Sequence, residues 1–537
     1  MKTGRTVFYN GKIALPGGFA SAIAVNGQII TAVGGSDNVL AGSGGAEKID
    51  LGGRLVLPGF NDGHMHFLAY ALSLEQGDFT GSTSLADVRS RFRSLLDHTN
   101  PKEGEWILGR GWNHEHFDEQ RIFTREDLDD LSPRNPVLLT RVCGHVAVLN
   151  SAALALLGIT GESRFPGGVV DLDDRGEPTG VVRETAVEWA RSQIPLPDSA
   201  RLRRLVARGG EEAAKVGLTS IQSDDLGTVG GDFRKILDLY LSLDREGEMP
   251  LRITEQFLLR TQEALEDFLA EGWRTGDGSP FFHVGPLKIL TDGSMGGRTA
   301  LLREDYSDMP GVRGVAIYPQ EELDRLVLTA SRAGMQVAAH AIGDGALDRC
   351  LDAMEKGLKA APRAARHFIV HCQMGDFAQY QRMARLGVGA AVQPPFVPSD
   401  RPMALKRIGE RRALSGYAWK TLLDLGIFLS GGSDCPVETF NPLWGIAAAV
   451  TRQDERGNPA GGWNPSQKLT VEEAVDLYTR GGAYASFEED RKGTLEAGKY
   501  SDLVVLSRDI FSIPEEEIQF VEAELTMAGG RITHRTF

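Results

Sequence analysis

The sequence predicts an α/β chain built on a (β/α)8 TIM barrel, and three observations carry that expectation. Eight short apolar runs, at 54–60, 218–223, 251–257, 287–290, 335–339, 367–370, 387–392 and 427–430, read as buried strands. Stretches at 321–332, 346–358 and 376–386 repeat apolar residues every three or four positions, the mark of amphipathic helices between strands. The length, 537 residues, exceeds the ~250 of one such barrel, so further domains are expected. Strands alternating with helices give a parallel sheet, and eight strands suit a closed barrel better than an open one.

In chain order, the first 55 residues hold short apolar stretches cut by Asn10-Gly11, Pro16-Gly17-Gly18, Asn26-Gly27 and Gly34-Gly35, which are hairpin and turn signals. The last 45 or so are similar, with Leu503-Val504-Val505-Leu506 as a strand and Ala528-Gly529-Gly530 as a turn. Each segment is too short for a stable core, so 1–55 plus 491–537 are expected to complete one composite β domain. The barrel is assigned to 56–84 plus 217–490. The gap after its first strand holds elements of its own, at 85–96, 125–131, 137–140 and 200–216. Residues 85–216 therefore read as an inserted α+β subdomain, expected to cover the barrel mouth and set substrate choice. Thr470-Val471-Glu472-Glu473 is a capping box that opens a helix.

Composition narrows the function classes. Lys plus Arg is 58 and Asp plus Glu 73, so the formal charge is −15, which opposes binding to nucleic acid or an anionic membrane and favours a small-molecule partner. No run of 18 apolar residues occurs and the N-terminus has no signal-peptide pattern, so a cytoplasmic protein is expected. Cys143, Cys350, Cys372 and Cys435 form no Cys-x-x-Cys pair, which leaves neither a disulfide framework nor a thiolate zinc site.

The chemistry-bearing residues cluster by position. Gly59-Phe60-Asn61-Asp62-Gly63-His64-Met65-His66 follows the first apolar run, and residues i and i+2 of a strand share a face, so His64 and His66 can reach one ion. A second His-x-His, His114-Glu115-His116, lies in a polar loop and carries less weight. His340, His371 and Asp434 each fall at the C-terminal end of a candidate strand, where barrel enzymes assemble their sites. Any one of these histidines alone would read as a core residue. Four histidines and an aspartate at one end of one sheet suit a borderline ion such as zinc. His367 is four residues before His371, but Phe368-Ile369-Val370 favours a strand, which puts the two imidazoles ~13 Å apart and only His371 near an ion.

These residues resemble the amidohydrolase superfamily of metal-dependent hydrolases, through Leu57-Pro58-Gly59-Phe60, Asp62, His64-x-His66, His340, His371 and Ser433-Asp434. The closer likeness is to its N-substituted formamide deformylase-like branch, the amidohydrolase 3 family. Lys288-Ile289-Leu290-Thr291-Asp292-Gly293-Ser294, His340-Ala341-Ile342-Gly343-Asp344, His371-Cys372-Gln373 and Gly432-Ser433-Asp434-Cys435-Pro436 carry it. The run from Gly493 to Leu503 resembles the superfamily's C-terminal return, with Ser501 where alanine is usual. The resemblance implies a distorted barrel, a composite β-sandwich from both termini and a centre of one or two Zn2+ ions. It implies His64, His66, Lys288, His340, His371 and Asp434 as ligands, with Lys288 able to carry an N6-carboxyl group bridging two ions. A carbamate needs a neutral amine, and Lys288 lies inside an apolar run that would desolvate it; the alternative is a lysine paired with Asp292. Asp434 is the expected catalytic proton carrier, alongside or instead of a ligand role. Trp112, His145, Glu184 and Arg298 resemble stretches that face substrate in this branch, and each is equally readable as structural. A homodimer acting on a small-molecule amide is expected.

Other readings are weaker. No Gly-x-Ser-x-Gly, Gly-x-Gly-x-x-Gly or Walker pattern occurs, which disfavours a serine hydrolase and nucleotide chemistry. A mononuclear zinc deaminase, or a lactam or ester hydrolase, fits the same barrel. A catalytically inactive ligand-binding barrel is the non-enzyme alternative.

Overall fold

The computed structural model describes residues 4–537. One compact unit comprises the chain up to Ala69 together with Ser199–Phe537, and a second runs Tyr70–Asp198.

The larger unit is built on eight parallel strands hydrogen-bonded in chain order: Phe60–Met65, Leu218–Ser223, Arg252–Leu258, Phe282–Leu290, Val337–Ala341, Phe368–His371, Gly389–Val392 and Leu429–Gly431. They are buried over nearly their whole length, as strands sandwiched between a barrel interior and a ring of helices must be. The helix Gln320–Arg332 turns Leu323, Leu326, Val327 and Ala330 inward, and Phe377–Leu386 is started by an Asp376 capping box and stopped by left-handed Gly387. The first and last strands lie at opposite ends of the hydrogen-bonded order. They meet instead just above the strand ends, where Asp434 N donates to the His64 carbonyl and His66 N to the Cys435 carbonyl, each at 2.8 Å.

One expected strand divides. The run 54–60 does not enter the barrel as one piece: Leu55–Pro58 pairs with Lys12–Leu15 and with Leu503–Leu506 in a terminal sheet, and the barrel strand begins at Phe60. Gly59 is the corner. A Cβ there would come within 2.2 Å of the Thr219 side chain, so the chain can turn from one sheet to the other only without one.

Both chain ends build the β domain. A four-stranded sheet comes from the N-terminal segment, and a six-stranded one runs Arg531–Arg535, Ala523–Ala528, Leu503–Leu506, Leu55–Pro58, Lys12–Leu15 and Gly18–Ala20. Their inner faces share Phe8, Ile13, Ile23, Ile30, Val56, Leu503, Val505 and Leu525. At its edge a buried ion pair, Arg252 Nε to Asp502 Oδ2 at 2.7 Å, ties the start of a barrel strand to the start of a terminal one.

The second unit holds a six-stranded mixed sheet, Gly168–Leu172, Pro178–Glu184, Val146–Leu149, Val137–Arg141, Ile107–Trp112 and Gly77–Asp78, with helices including Leu85–Thr99. The helix Ser199–Lys215, which the sequence reading placed in the insertion, belongs to the larger unit and packs against Leu218–Ser223 and the C-terminal strands. Its buried face, Leu202, Leu205, Val206, Ala213 and Ala214, is that of a helix leading into a barrel strand. Among the described residues no helix is long and apolar enough to cross a membrane.

Candidate metal centre

His64 is the penultimate residue of the first barrel strand and His66 follows that strand; Asp434 lies three residues past the last strand, across the seam where the two strands meet. His64 Nε2 and His66 Nε2 stand 3.4 and 3.2 Å from Asp434 Oδ1. One donor atom from each of the three lies within 4.8 Å of the others. Lys288 Nζ is 3.0 Å from His64 Nε2. The His371 ring centre is 5.7 Å from that of His64 and 4.5 Å from that of His340. All six residues singled out in the sequence as candidate ligands thus occupy one region at the C-terminal end of the barrel.

The chain around them fixes which nitrogen each imidazole offers. His66 Nδ1 is 2.9 Å from the Asp224 carbonyl and His371 Nδ1 is 2.8 Å from Gln393 Oε1, so both rings donate through Nδ1, which leaves Nε2 as the nitrogen free to bind an ion. His340 Nε2 lies 3.2 Å from the Gly293 carbonyl, which leaves Nδ1 as its lone-pair nitrogen. Asp62 accepts from His64 N and from Ser433 N and Oγ, at 3.0, 3.2 and 2.6 Å, and so clamps the two halves of the seam. Gly432 is required there, because a Cβ would meet His64 N at 2.6 Å. His371 and Asp434 themselves sit at φ 74° and 58°, in the left-handed region that L side chains rarely adopt. Strain of this kind persists where the surrounding structure over-determines it, as at functional sites.

Electrostatics follow from burial. Burial pushes His64 down to about 3, with the Lys288 charge adding to it. Burial likewise holds His371 well below its usual value, assisted by His340. His66 goes the other way, up to about 9, because its hydrogen bond to Asp434 and the charges of Asp434 and Asp224 outweigh burial. Burial lowers Lys288 to about 8 against Asp224 and Asp434, which raise it. For Asp434 burial alone would favour the neutral acid, but the hydrogen bonds from His64 and His66 and the nearby His371 hold the carboxyl well below its usual range.

This set fits a divalent cation. Imidazole nitrogens and a carboxylate oxygen converge within one ion's reach, and His64 Nδ1 is buried without a partner. A borderline ion with nitrogen and oxygen ligands is what such a donor set accommodates.

Asp292, the alternative partner for Lys288, is engaged elsewhere: it accepts from the backbone N–H groups of Leu301, Ile342 and Gly343. Arg298 makes a two-pronged ion pair with Asp308, at 3.1 and 2.9 Å, and its guanidinium is committed there. In the second unit Trp112 is fully buried against Phe123 and donates its indole N–H to the Leu139 carbonyl, a packing role. His145 and Glu184, both exposed, pair with each other at 3.0 Å. His367 lies at the far end of its strand, where Nδ1 accepts from Val337 N.

Asp224, Gln393 and Glu255 were missed. Asp224 directly follows the strand Leu218–Ser223, so the strand-end rule that found His340 would have found it too. Gln393 directly follows Gly389–Val392 in the same way. Glu255 is buried mid-strand and carries no such signal; its Oε1 accepts from Asp225 N at 2.9 Å.

Comparison with known proteins agrees with this architecture. The amidohydrolase family model matches residues 47–534. A Bacillus subtilis (strain 168) protein named "Putative amidohydrolase YtcJ" is 35% identical over 96% of this chain and 98% of its own length. The N-substituted formamide deformylase of Arthrobacter pascens is 28% identical over 95% of this chain and 94% of its own. A crystal structure described as an uncharacterized metal-dependent hydrolase from Pyrococcus furiosus superposes with a TM-score of 0.79 at 30% identity, covering 95% of this chain and all of that one. With its barrel, its seam of histidines and aspartate, and a family match along nearly its whole length, the chain belongs to the amidohydrolase family.

Proposed function

We propose that the protein is a zinc-dependent hydrolase that cleaves the C–N bond of a non-peptide amide, an N-substituted formamide or a related amide. The observation that carries this reading is the convergence of His64, His66 and Asp434 donor atoms within 4.8 Å, with Lys288, His340 and His371 beside them. The likeness to the formamide deformylase supports the substrate class.

His64, His66, His340, His371 and Asp434 would hold the ion or ions. Bound there, zinc supplies Lewis acidity toward the amide carbonyl and lowers the pKa of water. The remaining work falls to the chain. Asp434, held ionised by its histidine neighbours, accepts a proton from the attacking water and returns it to the leaving nitrogen, so the amine departs neutral. The Asp224 carbonyl and the Gln393 side chain keep the His66 and His371 rings oriented while Asp62 clamps the His64 and Ser433 backbones. Lys288, shifted to about 8 by burial, offers an appreciable fraction of neutral amine near neutral pH. Addition of that amine to carbon dioxide, with loss of one proton, would give a carbamate at Lys288, 3.0 Å from His64 Nε2, that would add oxygen donors to the centre.

The test is a turnover screen of zinc-loaded protein against N-substituted formamides, N-acyl amines, lactams and simple esters, reading amine and acid release separately. Equimolar amine and acid from a formamide or acyl amine is the expected result. Turnover confined to esters would overturn the substrate class, and full activity in verified metal-free protein would overturn the metal role.

A further inference from the structure

Arg452 is 0% exposed, yet it carries a charge that protein environments do not remove. It closes the helix Pro442–Thr451 in the left-handed conformation. Its Nε donates to the Trp463 carbonyl and its Nη1 to the Tyr417 carbonyl at 3.2 Å. No acidic side chain forms an ion pair with it among the described residues. Burial accordingly pulls it down to about 10, with Tyr417 alone acting in the other direction.

Two donors at this place are unused. Arg452 Nη2 is buried without a hydrogen-bond partner, and so is the indole Nε1 of Trp419, a residue 1% exposed. The guanidinium carbon lies 5.2 Å from the Trp419 ring centre and 5.9 Å from that of Trp463. The ring faces compensate part of the charge, as aromatic quadrupoles do. They do nothing for the indole N–H. A water molecule could accept from both donors, but it would bring two protons of its own and leave the guanidinium unneutralised. An anion accepts from both and cancels the charge.

We propose that Arg452 Nη2 and Trp419 Nε1 together bind a small monovalent anion of the halide class, chloride in solution. This site is separate from the metal centre but connected to it through the chain. Arg452 holds the Tyr417 carbonyl, Tyr417 N donates to the Gln373 carbonyl at 2.8 Å, and the Tyr417 hydroxyl and Gln373 Nε2 both donate to Asp400 Oδ2, at 2.8 and 3.0 Å. Gln373 stands two residues past His371. The anion is thus a structural ligand that anchors the segment supporting a ring of the centre, and its binding does not depend on which substrate the enzyme takes.

The experiment uses the full chain. Crystals grown in sodium bromide are measured at the bromine absorption edge, and thermal unfolding is followed in sodium chloride and in sodium gluconate at equal ionic strength. The expected results are an anomalous peak within hydrogen-bond reach of Arg452 Nη2 and Trp419 Nε1, and a Tm about 2 °C higher in saturating chloride, by linkage to the native state. Trp419→Phe keeps the ring and removes the N–H, so it should shrink the halide shift, and Arg452→Met should abolish it. Should Arg452→Met fail to fold, the bromide map and Trp419→Phe decide. A map without the peak, a wild-type Tm that ignores the halide, or a shift that survives Trp419→Phe in full overturns the proposal.

Discussion

Asp434 concentrates the roles that single residues play in this molecule: it joins the seam through its backbone and faces two imidazoles through its side chain. Asn is nearly isosteric and still offers an oxygen, but it takes no proton at neutral pH. If zinc is bound as proposed, Asp434→Asn should keep most of it by elemental analysis while kcat falls by the ~100- to 10,000-fold typical of lost acid–base help. Normal turnover with zinc intact would route the proton elsewhere. His367 gives a prediction away from the centre. Burial, then Arg363, depress it from 6.5 to about 3, so it is neutral in the folded protein. A depressed histidine contributes stability that is full above its unfolded pKa and is lost as pH falls from 6.5 toward 3. His367→Gln should therefore be less stable than wild type at pH 8, yet lose less on acidification, with a slope lower by about one proton. Urea midpoints at pH 8 and pH 5 measure it; an unchanged slope would place the acid sensitivity in other groups. The candidate centre was legible at this scale because its donors fall in or just after the C-terminal ends of candidate strands. Trp112 and Arg298 were not decidable in sequence, because a chemically capable side chain looks the same there whatever it meets; here they meet the Leu139 carbonyl and Asp308.

Among the elements, the strand Arg252–Leu258 carries a residue that sequence patterning cannot explain. Arg252 is buried, lies 3.7 Å over the Tyr500 ring and pairs with Asp502, which also accepts from Gly529 N at 2.7 Å. Removing one partner of such a pair leaves the other charge buried, so Arg252→Met should cost about 3–5 kcal/mol, whereas Arg252→Met with Asp502→Asn should recover part of that loss. Denaturant unfolding of the three proteins checks this, and additive losses in the double variant would refute the coupling. Barrel strands such as Phe368–His371 and Gly389–Val392 were readable because both their faces are buried, which makes each a short apolar run. The run at 54–60 hid a change of sheet because Leu55–Pro58 is equally buried in its own sandwich. Only the corner at Gly59 marks the break, and one glycine among 64 is too little to read.

Across the whole molecule, the metal proposal has a consequence that needs no substrate. An ion held by residues from both sides of the seam binds the folded chain and not the unfolded one, so stripping it with a chelator should lower Tm, and zinc should restore it. A Tm indifferent to chelator, in protein shown to have held metal, would put the ion somewhere other than between the first and last strands. The two end segments, each too short to fold alone, meet where Leu55–Pro58 pairs with Leu503–Leu506. That pairing also sets a schedule for synthesis. Leu55–Pro58, fully buried in the finished protein, waits for Leu503–Leu506, about 450 residues later. At ordinary ribosomal rates of about 5–20 residues per second, the nascent chain carries an unpaired apolar strand edge for roughly 20–90 s. Such an edge is a template for wrong pairing, so the first 58 residues are where a chaperone earns its place on the growing chain.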